Sequence, residues 1–537
     1  MDTDSEDWPA LGHRAAKRGV HVRFDAPTPM HRDDAPSSRS LPRARADRAP
    51  GLAPGAPRWD PRLGGFPPRG RGRGHDGGYQ HRHRFDASGA RPARPLADPM
   101  EAARRGLKRR DWVPTPPDED DSREAAVPEA KASFRVMSYN ILAASLAAEH
   151  PELYRGVDAR ALRQRRRRSL LVEEIKALRP DVLLLQENES FPFLQRELGR
   201  CGYGGAHAPR GGGKLDGSSV FFRRDAFETV DFEAIDFERA ERGLKSNAAA
   251  IATLRRTRSA SSRRETSSGD EIDDTEDTVV VGCVHGLFNP RRGDIKLGQM
   301  RVFVAAVARA RAAAAARTGV PVHRVHCFLG GDFNCAPSSP MYHFLLRGFL
   351  DVDRVDRRNL AGCLVRGESR QDAADDEFAM LVETGGLDRD DDEWAAWDEL
   401  RGVRGGSETT EARLRRYFWD EEGLRAALGP DAFGAESSVA AMAATKEATS
   451  ANPFRVAHAL RGALASCYRA VSADGEEAPV TSWHGRFKGT VDYLFHTGGV
   501  RTLRVLMPPS EVRGGALPSE EFASDHFCVV ADLRFER

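Results

Sequence analysis

Long apolar runs are missing from this chain: none approaches the length that crosses a bilayer, which argues against a helical membrane protein. Cysteine is sparse and unpatterned. The seven, Cys201, Cys283, Cys327, Cys335, Cys363, Cys467 and Cys528, are odd in number and never form Cys-x-x-Cys, so neither a disulfide framework nor a zinc site is indicated. An excess charge of one sign is missing as well, because 81 Lys and Arg against 80 Asp and Glu leave a net charge of +1. Global charge therefore singles out neither nucleic acid nor an anionic membrane as a partner. Residues 1–130 lack aliphatic runs and are crowded with Arg, Pro, Gly, Asp and Ser. Such a segment cannot bury enough apolar surface to offset its ordering entropy, so a disordered arm is expected there. A leucine-rich repeat that would dock the chain onto a larger assembly is also lacking.

The arm carries Pro67-Pro-Arg-Gly-Arg-Gly-Arg-Gly74, a composition suited to an auxiliary RNA contact through phosphates and stacked bases, with a solubilising tail as the alternative. Its first residues, Met1-Asp-Thr-Asp-Ser-Glu-Asp, are acidic where targeting presequences are basic, and Cys283, Cys327 and Cys528 sit in apolar strands as reduced thiols would. Cytosol or nucleus is the expected compartment; Lys108-Arg-Arg110 is a short basic cluster of the nuclear-signal kind. Residues 131–537 are ample for one large core. Two segments interrupt it: 256–278, Ser/Arg-rich then acidic, reads as a hairpin extension, and 371–450 carries helical patterns of a lid or a surface insertion. A helix is expected over 161–178, with Leu170, Leu171, Ile175 and Leu178 inward and the run Arg165, Arg166, Arg167, Arg168 as a solvated face. Another should span 294–317 and stop at Thr318-Gly-Val-Pro321.

The chemistry lies at the ends of apolar strands. Val325 to Leu329 leads into Gly330-Gly-Asp-Phe-Asn334, which delivers an acid and an amide to one place; if the strand persists, Asp332 and Asn334 share a face. The two glycines leave room for close backbone approach. An isolated Asp-x-Asn is also a turn signal. Other strand ends supply complementary groups: Phe134-Arg-Val-Met-Ser-Tyr-Asn140 an amide, Asp181-Val-Leu-Leu-Leu-Gln-Glu187 a carboxylate, and Val279-Val-Val-Gly-Cys-Val-His285 an imidazole. Near the C-terminus, Gly489-Thr-Val-Asp492 is followed by Ser524-Asp525-His526. Apolar runs of this length between helical patterns read as sheet strands covered on both faces.

With these residues in this order, the chain resembles the endonuclease/exonuclease/phosphatase superfamily of metal-dependent phosphoesterases over residues 133–537. Within it, Leu287-Phe-Asn-Pro-Arg-Arg-Gly-Asp-Ile-Lys-Leu297, Gly331-Asp-Phe-Asn-Cys-Ala-Pro, Lys214-Leu-Asp-Gly-Ser-Ser and Ser524-Asp-His526 are most similar to the angel proteins, relatives of nocturnin and of carbon-catabolite-repressor type deadenylases. The resemblance implies an α/β fold, a four-layer sandwich of two mixed β-sheets flanked by helices, as in DNase I. It also implies a magnesium ion, with manganese as a substitute, held by Glu187 with Asn140 and Asp525. Asp332 would orient or deprotonate the attacking water, Asn334 hold a phosphate oxygen, and His526, oriented by Asp492, donate to phosphate. His285 is a further phosphate contact, although Val284 and Gly286 depart from the family's usual neighbours and put its orientation in question. Asn247 matches a substrate-side position, and Asn289, Arg291, Arg292 and Lys296 would line the substrate approach. Arg486 and Lys488 are further approach candidates. The expected substrate is the 3′ end of RNA, with deadenylase-type 3′-5′ exonucleolysis ahead of 2′,3′-cyclic phosphate removal. Hydrolysis of a nucleotide phosphate and a catalytically silent RNA-binding scaffold are the remaining alternatives.

Overall fold

The computed structural model describes residues 95–116, 133–257, 278–337, 339–363, 409–432, 438–448, 452–460 and 464–536. In chain order the strands are β1 (Trp112–Pro114), β2 (Ser133–Asn140), β3 (Val182–Gln186), β4 (Tyr203–Pro209), β5 (Gly217–Arg223), β6 (Phe227–Asp236), β7 (Ala248–Arg256), β8 (Thr278–His285), β9 (His326–Asp332), β10 (Phe349–Asp351), β11 (Arg455–Ala457), β12 (Leu464–Ser466), β13 (Ser482–His484), β14 (Phe487–Gly489), β15 (Asp492–Thr497), β16 (Val500–Leu506) and β17 (Val529–Phe535). One sheet runs β1-β16-β17-β2-β3-β5-β4, the other β12-β15-β9-β8-β7-β6; β10-β11 and β13-β14 are separate pairs. Within the large sheets only β2 with β3 and β8 with β9 are parallel, so both are mixed.

Alternation along the strands builds the layers. In β3, Val182 and Leu184 join the cluster shared with Val281, Phe328 and Leu494 of the other sheet, whereas Leu183 and Leu185 face Leu170, Leu171 and Ile175. A strand packed on both faces must be apolar throughout, which is why Val-Leu-Leu-Leu shows no polar alternation. The outer helices of the first sheet are α1 (Pro99–Leu107), α4 (Gln164–Leu178) and α5 (Phe191–Gly199), with the short α2 (Ala144–Glu149) and α3 (Ala159–Leu162) between β2 and α4. On the second sheet, after the short α6 (Phe237–Ala240), lie α7 (Gly293–Thr318) and α8 (Pro340–Arg347), whose Leu297, Met300, Phe303 and Phe344 cover Val280, Val284 and Leu329. The result is the four-layer, DNase I-like sandwich.

Several expectations need correction. The folded body begins well before residue 131. Within 95–116, α1 packs Ala102 and Ala103 beside Leu170 and Ile175, and β1 pairs antiparallel with β16. Small and polar residues make this docking, so no aliphatic run announces it. Residues 1–94, 117–132 and 258–277, where the arm and the first insertion were expected, lie outside the described residues. Of the segment 371–450, the described parts are α9 (Thr410–Arg416), α10 (Glu421–Leu428) and α11 (Val439–Ala448), and they bury Leu414, Trp419, Leu424 and Met442 in the cluster beneath α7. These parts are packed wall. The helix expected over 161–178 is broken at Arg163, which takes an extended backbone between α3 and α4. Arg167 leaves the expected solvated face: it is buried and donates to the carbonyls of Ile141 at 3.0 Å and Leu142 at 2.7 Å.

Candidate active site

Register brings the functional residues to one mouth. Along the parallel pair β8 and β9, His285 lies opposite Asp332, and along the antiparallel pair β9 and β15, Asp332 lies opposite Asp492. In the other sheet Asn140 lies opposite Gln186, which puts Glu187 beside it at the next position. The two sheets approach closely here, since a Cβ on Gly330 would stand 2.7 Å from Leu184 and 3.2 Å from Ser138 across the interface. That glycine makes the meeting of the two sets of strand ends possible.

Asp332 Oδ2 is the hub. It accepts from Asn140 Nδ2 at 3.0 Å and lies 3.7 Å from His285 Nε2 and 3.8 Å from His526 Nε2. The Asn140 amide also donates to Glu187 Oε1 at 3.0 Å, while Glu187 Oε2 accepts from the Ala143 backbone at 2.8 Å. Asn140 thus couples the carboxylates of two sheets. The strand conformation does not persist beyond Asp332: Asn334 has φ 50°, and its N–H donates to Asp332 Oδ1 at 2.9 Å. The Asx turn and the constellation are therefore both realised, and the shared-face expectation is corrected. Asn334 Nδ2 donates to the Gly286 carbonyl at 3.1 Å. Glu187, at φ 56°, is a second left-handed non-glycine residue, a conformation that persists only where surroundings over-determine it.

His526 Nδ1 hydrogen-bonds Asp492 Oδ2 at 2.8 Å. Burial would depress this imidazole, but Asp492, with Asp525 and Asp332 nearby, holds its pKa well above the ordinary value, which favours the charged form. His285 is the opposite case: burial and the charges of Arg210, His526 and Lys296 push it well below the ordinary value. Its carbonyl and that of Gly286 accept from Asn247 Nδ2 at 3.2 and 3.3 Å. Gly286 is required, because a Cβ there would stand 2.8 Å from the Phe333 carbonyl. These contacts fix the backbone at His285, and its Nε2 lies 3.9 Å from Glu187 Oε1 and 3.7 Å from Asp332 Oδ2. Glu187 is raised to about 7 by burial and then by Asp525, and Asp332 to about 7 by burial and then by Asp492.

Buried carboxylates that resist ionisation want a cation, and a set of hard oxygen donors fits a divalent one. Asp332, Asp492 and His526 also offer ligand atoms within 4.8 Å of one another. That trio is the poorer holder, since His526 could ligate through Nε2 only after losing the proton that its acidic surroundings favour keeping. Glu187, with Asn140 beside it and Asp525 close enough to act on its charge, is the better one.

The expected approach residues divide. Lys296 is fully buried and donates to the Asn334 carbonyl at 2.7 Å, so the expectation of direct substrate contact is overturned. Arg292 turns to Asp294 at 2.9 Å, and Asn289 accepts from the Arg291 backbone at 3.0 Å, which makes Asn289 a turn former. Arg291 itself is exposed at the rim. Lys488 lies over the Trp483 ring at 3.7 Å. Sequence reasoning missed Tyr154, whose hydroxyl donates to Asp525 Oδ2 at 2.9 Å, and gave Ser524 no role although it donates to the Asn140 carbonyl at 2.6 Å. Ser524 adjoins Asp525 and was within reach; Tyr154 lies on a 3-10 turn, where strand-end logic gives no signal.

Comparison with known proteins bears on the family and the fold. The profile of the Endonuclease/Exonuclease/phosphatase family matches residues 137–526. Carbon catabolite repressor protein 4 homolog 5 of Arabidopsis thaliana is 30% identical over 414 residues, covering 74% of this chain and 77% of that protein. Protein angel homolog 2 of Mus musculus is 26% identical over 439 residues, covering 76% and 70%. The crystal structure of ANGEL2, a 2′,3′-cyclic phosphatase, in complex with adenosine-2′,3′-vanadate, superposes with a TM-score of 0.54 at 22% identity, over 80% of this chain and 99% of that one, which shows a common fold. Among the described residues no helix is long and apolar enough to cross a membrane.

Proposed function

The chain belongs to the endonuclease/exonuclease/phosphatase family, and from that premise we propose that it is a magnesium-dependent phosphoesterase acting on the 3′ ends of RNA, by exonucleolysis of the deadenylase type. The observation that carries the reading is the hub at Asp332, where a carboxylate meets an imidazolium, a neutral imidazole and an amide that also binds Glu187. A phosphodiester resists hydrolysis because its anion repels the nucleophile and its alkoxide leaves poorly. A magnesium ion held by Glu187, with Asn140 and Asp525 in support, supplies Lewis-acid stabilisation of the developing charge. Manganese would substitute.

The protein's own groups supply the rest. Asp332 orients the attacking water and takes its proton, its buried carboxyl held above the ordinary carboxylate range by burial and by Asp492. His526, kept charged by Asp492, donates through Nε2 to a phosphate oxygen. The neutral His285 offers a second, uncharged contact, and the Asn334 amide a third. Asn247 works through the backbone of His285 and Gly286.

Cyclic-phosphate removal is the second reading, favoured by the likeness of Asn289 to Leu297 to the angel block and supported by similarity to a relative named a 2′,3′-cyclic phosphatase. One experiment separates them. Purified protein with magnesium is given an oligoadenylate-tailed RNA, the same RNA ending in a 2′,3′-cyclic phosphate, and a nicotinamide dinucleotide phosphate. Laddered shortening of the first supports exonucleolysis, and loss of the cyclic end without shortening selects the second reading. Activity on the dinucleotide alone overturns both, and no hydrolysis at all leaves an RNA-binding protein without chemistry.

A further inference from the structure

The opening turns of α7 bury polar side chains where an amphipathic helix on a sheet would bury only apolar ones. Lys296 and Gln299 are as deeply enclosed as Ile295, Leu297 and Met300. Buried polar groups persist when they are hydrogen-bonded, and the partners here are informative. Lys296 Nζ donates to the Asn334 carbonyl at 2.7 Å. Gln299 accepts from the Leu287 N–H at 2.9 Å through Oε1 and donates to the Leu244 carbonyl at 2.6 Å through Nε2. All three partners are backbone groups of mouth loops: Asn334 follows Asp332, Leu287 follows His285, and Leu244 precedes Asn247. The loops then close on one another, because Asn247 Nδ2 reaches the His285 and Gly286 carbonyls and Asn334 Nδ2 reaches Gly286.

We infer that Lys296 and Gln299 are positioning residues through which α7 fixes the loops bearing Asn334, His285 and Asn247, a role that rests on the phosphoesterase reading of this mouth. Stability alone gives little reason for a buried ammonium met by a carbonyl in place of a carboxylate, since an apolar side chain of similar volume avoids the desolvation cost. Precision of the site does give one. Asn334 sits at φ 50°, where a non-glycine residue must be held by its surroundings, and Lys296 holds it by its own carbonyl. Gln299 ties the strand-end loop of His285 to the loop that delivers Asn247, so the two move as one body. A misplacement of such groups by even about 1 Å is costly to catalysis.

The test uses the full-length protein with magnesium and the variants Lys296→Met and Gln299→Met. Each is expected to lower kcat on the hydrolysed RNA end by at least about tenfold while KM stays within about threefold, because loops are loosened and binding surface is not removed. If Lys296 acts through Asn334, Lys296→Met placed in an Asn334→Ala background should cost less than about threefold further. Amide hydrogen exchange supplies a readout independent of turnover. Gln299→Met should speed exchange at Leu287, whose N–H the glutamine side chain holds, and Lys296→Met should speed it over 333–336, with β8 and β9 unchanged. Unaltered exchange at those amides, unaltered kcat, or losses that add fully in the double variant would overturn the positioning role. Wild-type protein inactive on every RNA end would instead remove the proposed reaction, and the exchange measurements would still decide whether α7 fixes these loops.

Discussion

At Asp332 and Glu187, single atoms decide both charge and stability. Replacing Glu187 by Gln or Asp332 by Asn keeps the shape and an acceptor but removes the negative charge, so turnover should fall by at least about a hundredfold while RNA binding largely survives. Filter binding beside a turnover assay checks this, and equal loss of both would point to misfolding. Asp492→Asn keeps a contact to His526 Nδ1 but no longer holds the imidazolium, so the pH at which activity is lost on the alkaline side should move down.

Stability should follow the same charges. Carboxylates whose folded pKa is about 7 bind protons more tightly folded than unfolded, so their contribution falls as pH rises from the usual carboxylate range to about 7. From a carboxylate reference near 4.5, the loss is on the order of 3 kcal/mol for Glu187. His526, raised above its ordinary value, adds stability that is fully present below about 6.5 and is lost as pH rises through its folded value. Both trends point one way: chelator-treated protein should melt lower at pH 8 than at pH 5.5, and added magnesium should raise Tm more at pH 8. An equal magnesium shift at both pH values would sink this account.

Whole elements show what the sequence discloses. β2, β3, β8 and β9 were legible because strands buried on both faces must be continuously apolar, and α7 was legible from its apolar spacing and its Gly319 stop. The site residues at those strand ends were legible as a set. Tertiary use of polar atoms was not: Lys296 read as a substrate-approach cation and Arg167 as a solvated one, and both are buried on loop carbonyls. The early body segment failed for the same reason. Arg110 is buried there and donates to the carbonyls of Met507 at 3.0 Å, Leu506 at 3.0 Å and Cys528 at 2.6 Å, and to Cys528 Sγ at 2.9 Å. Trp112 lies between Arg135 and Arg504, each 4.5 Å from its ring. Arg110→Met would remove these bonds, the Leu506 carbonyl keeping only the Tyr468 hydroxyl, and leave the buried Glu174 without its nearby cation, at a cost of about 3–5 kcal/mol. Urea unfolding reads that cost directly, and a change under about 1 kcal/mol would mean that the clasp is ornamental.

For the molecule as a whole, the position of the first described element decides how the arm is to be tested. A truncation at residue 130, where composition changes, would also remove α1 and β1, and any loss of RNA binding would then report unfolding. The cut belongs before Pro95. Removing 1–94 deletes the Arg-Gly run Arg69-Gly-Arg-Gly-Arg-Gly74 and leaves every described contact in place. Each phosphate contact made by such arginines releases counterions, so an arm that touches RNA adds to both affinity and salt dependence without entering the reaction. The 1–94 deletion should therefore keep Tm and kcat, weaken RNA binding and flatten the slope of log affinity against log salt. Deletion of 1–116 should lower Tm sharply, because Arg110 and the β1 edge go with it. If the shorter deletion binds with unchanged affinity and slope, the arm's arginines make no contact that matters, and only the solubilising role remains for them.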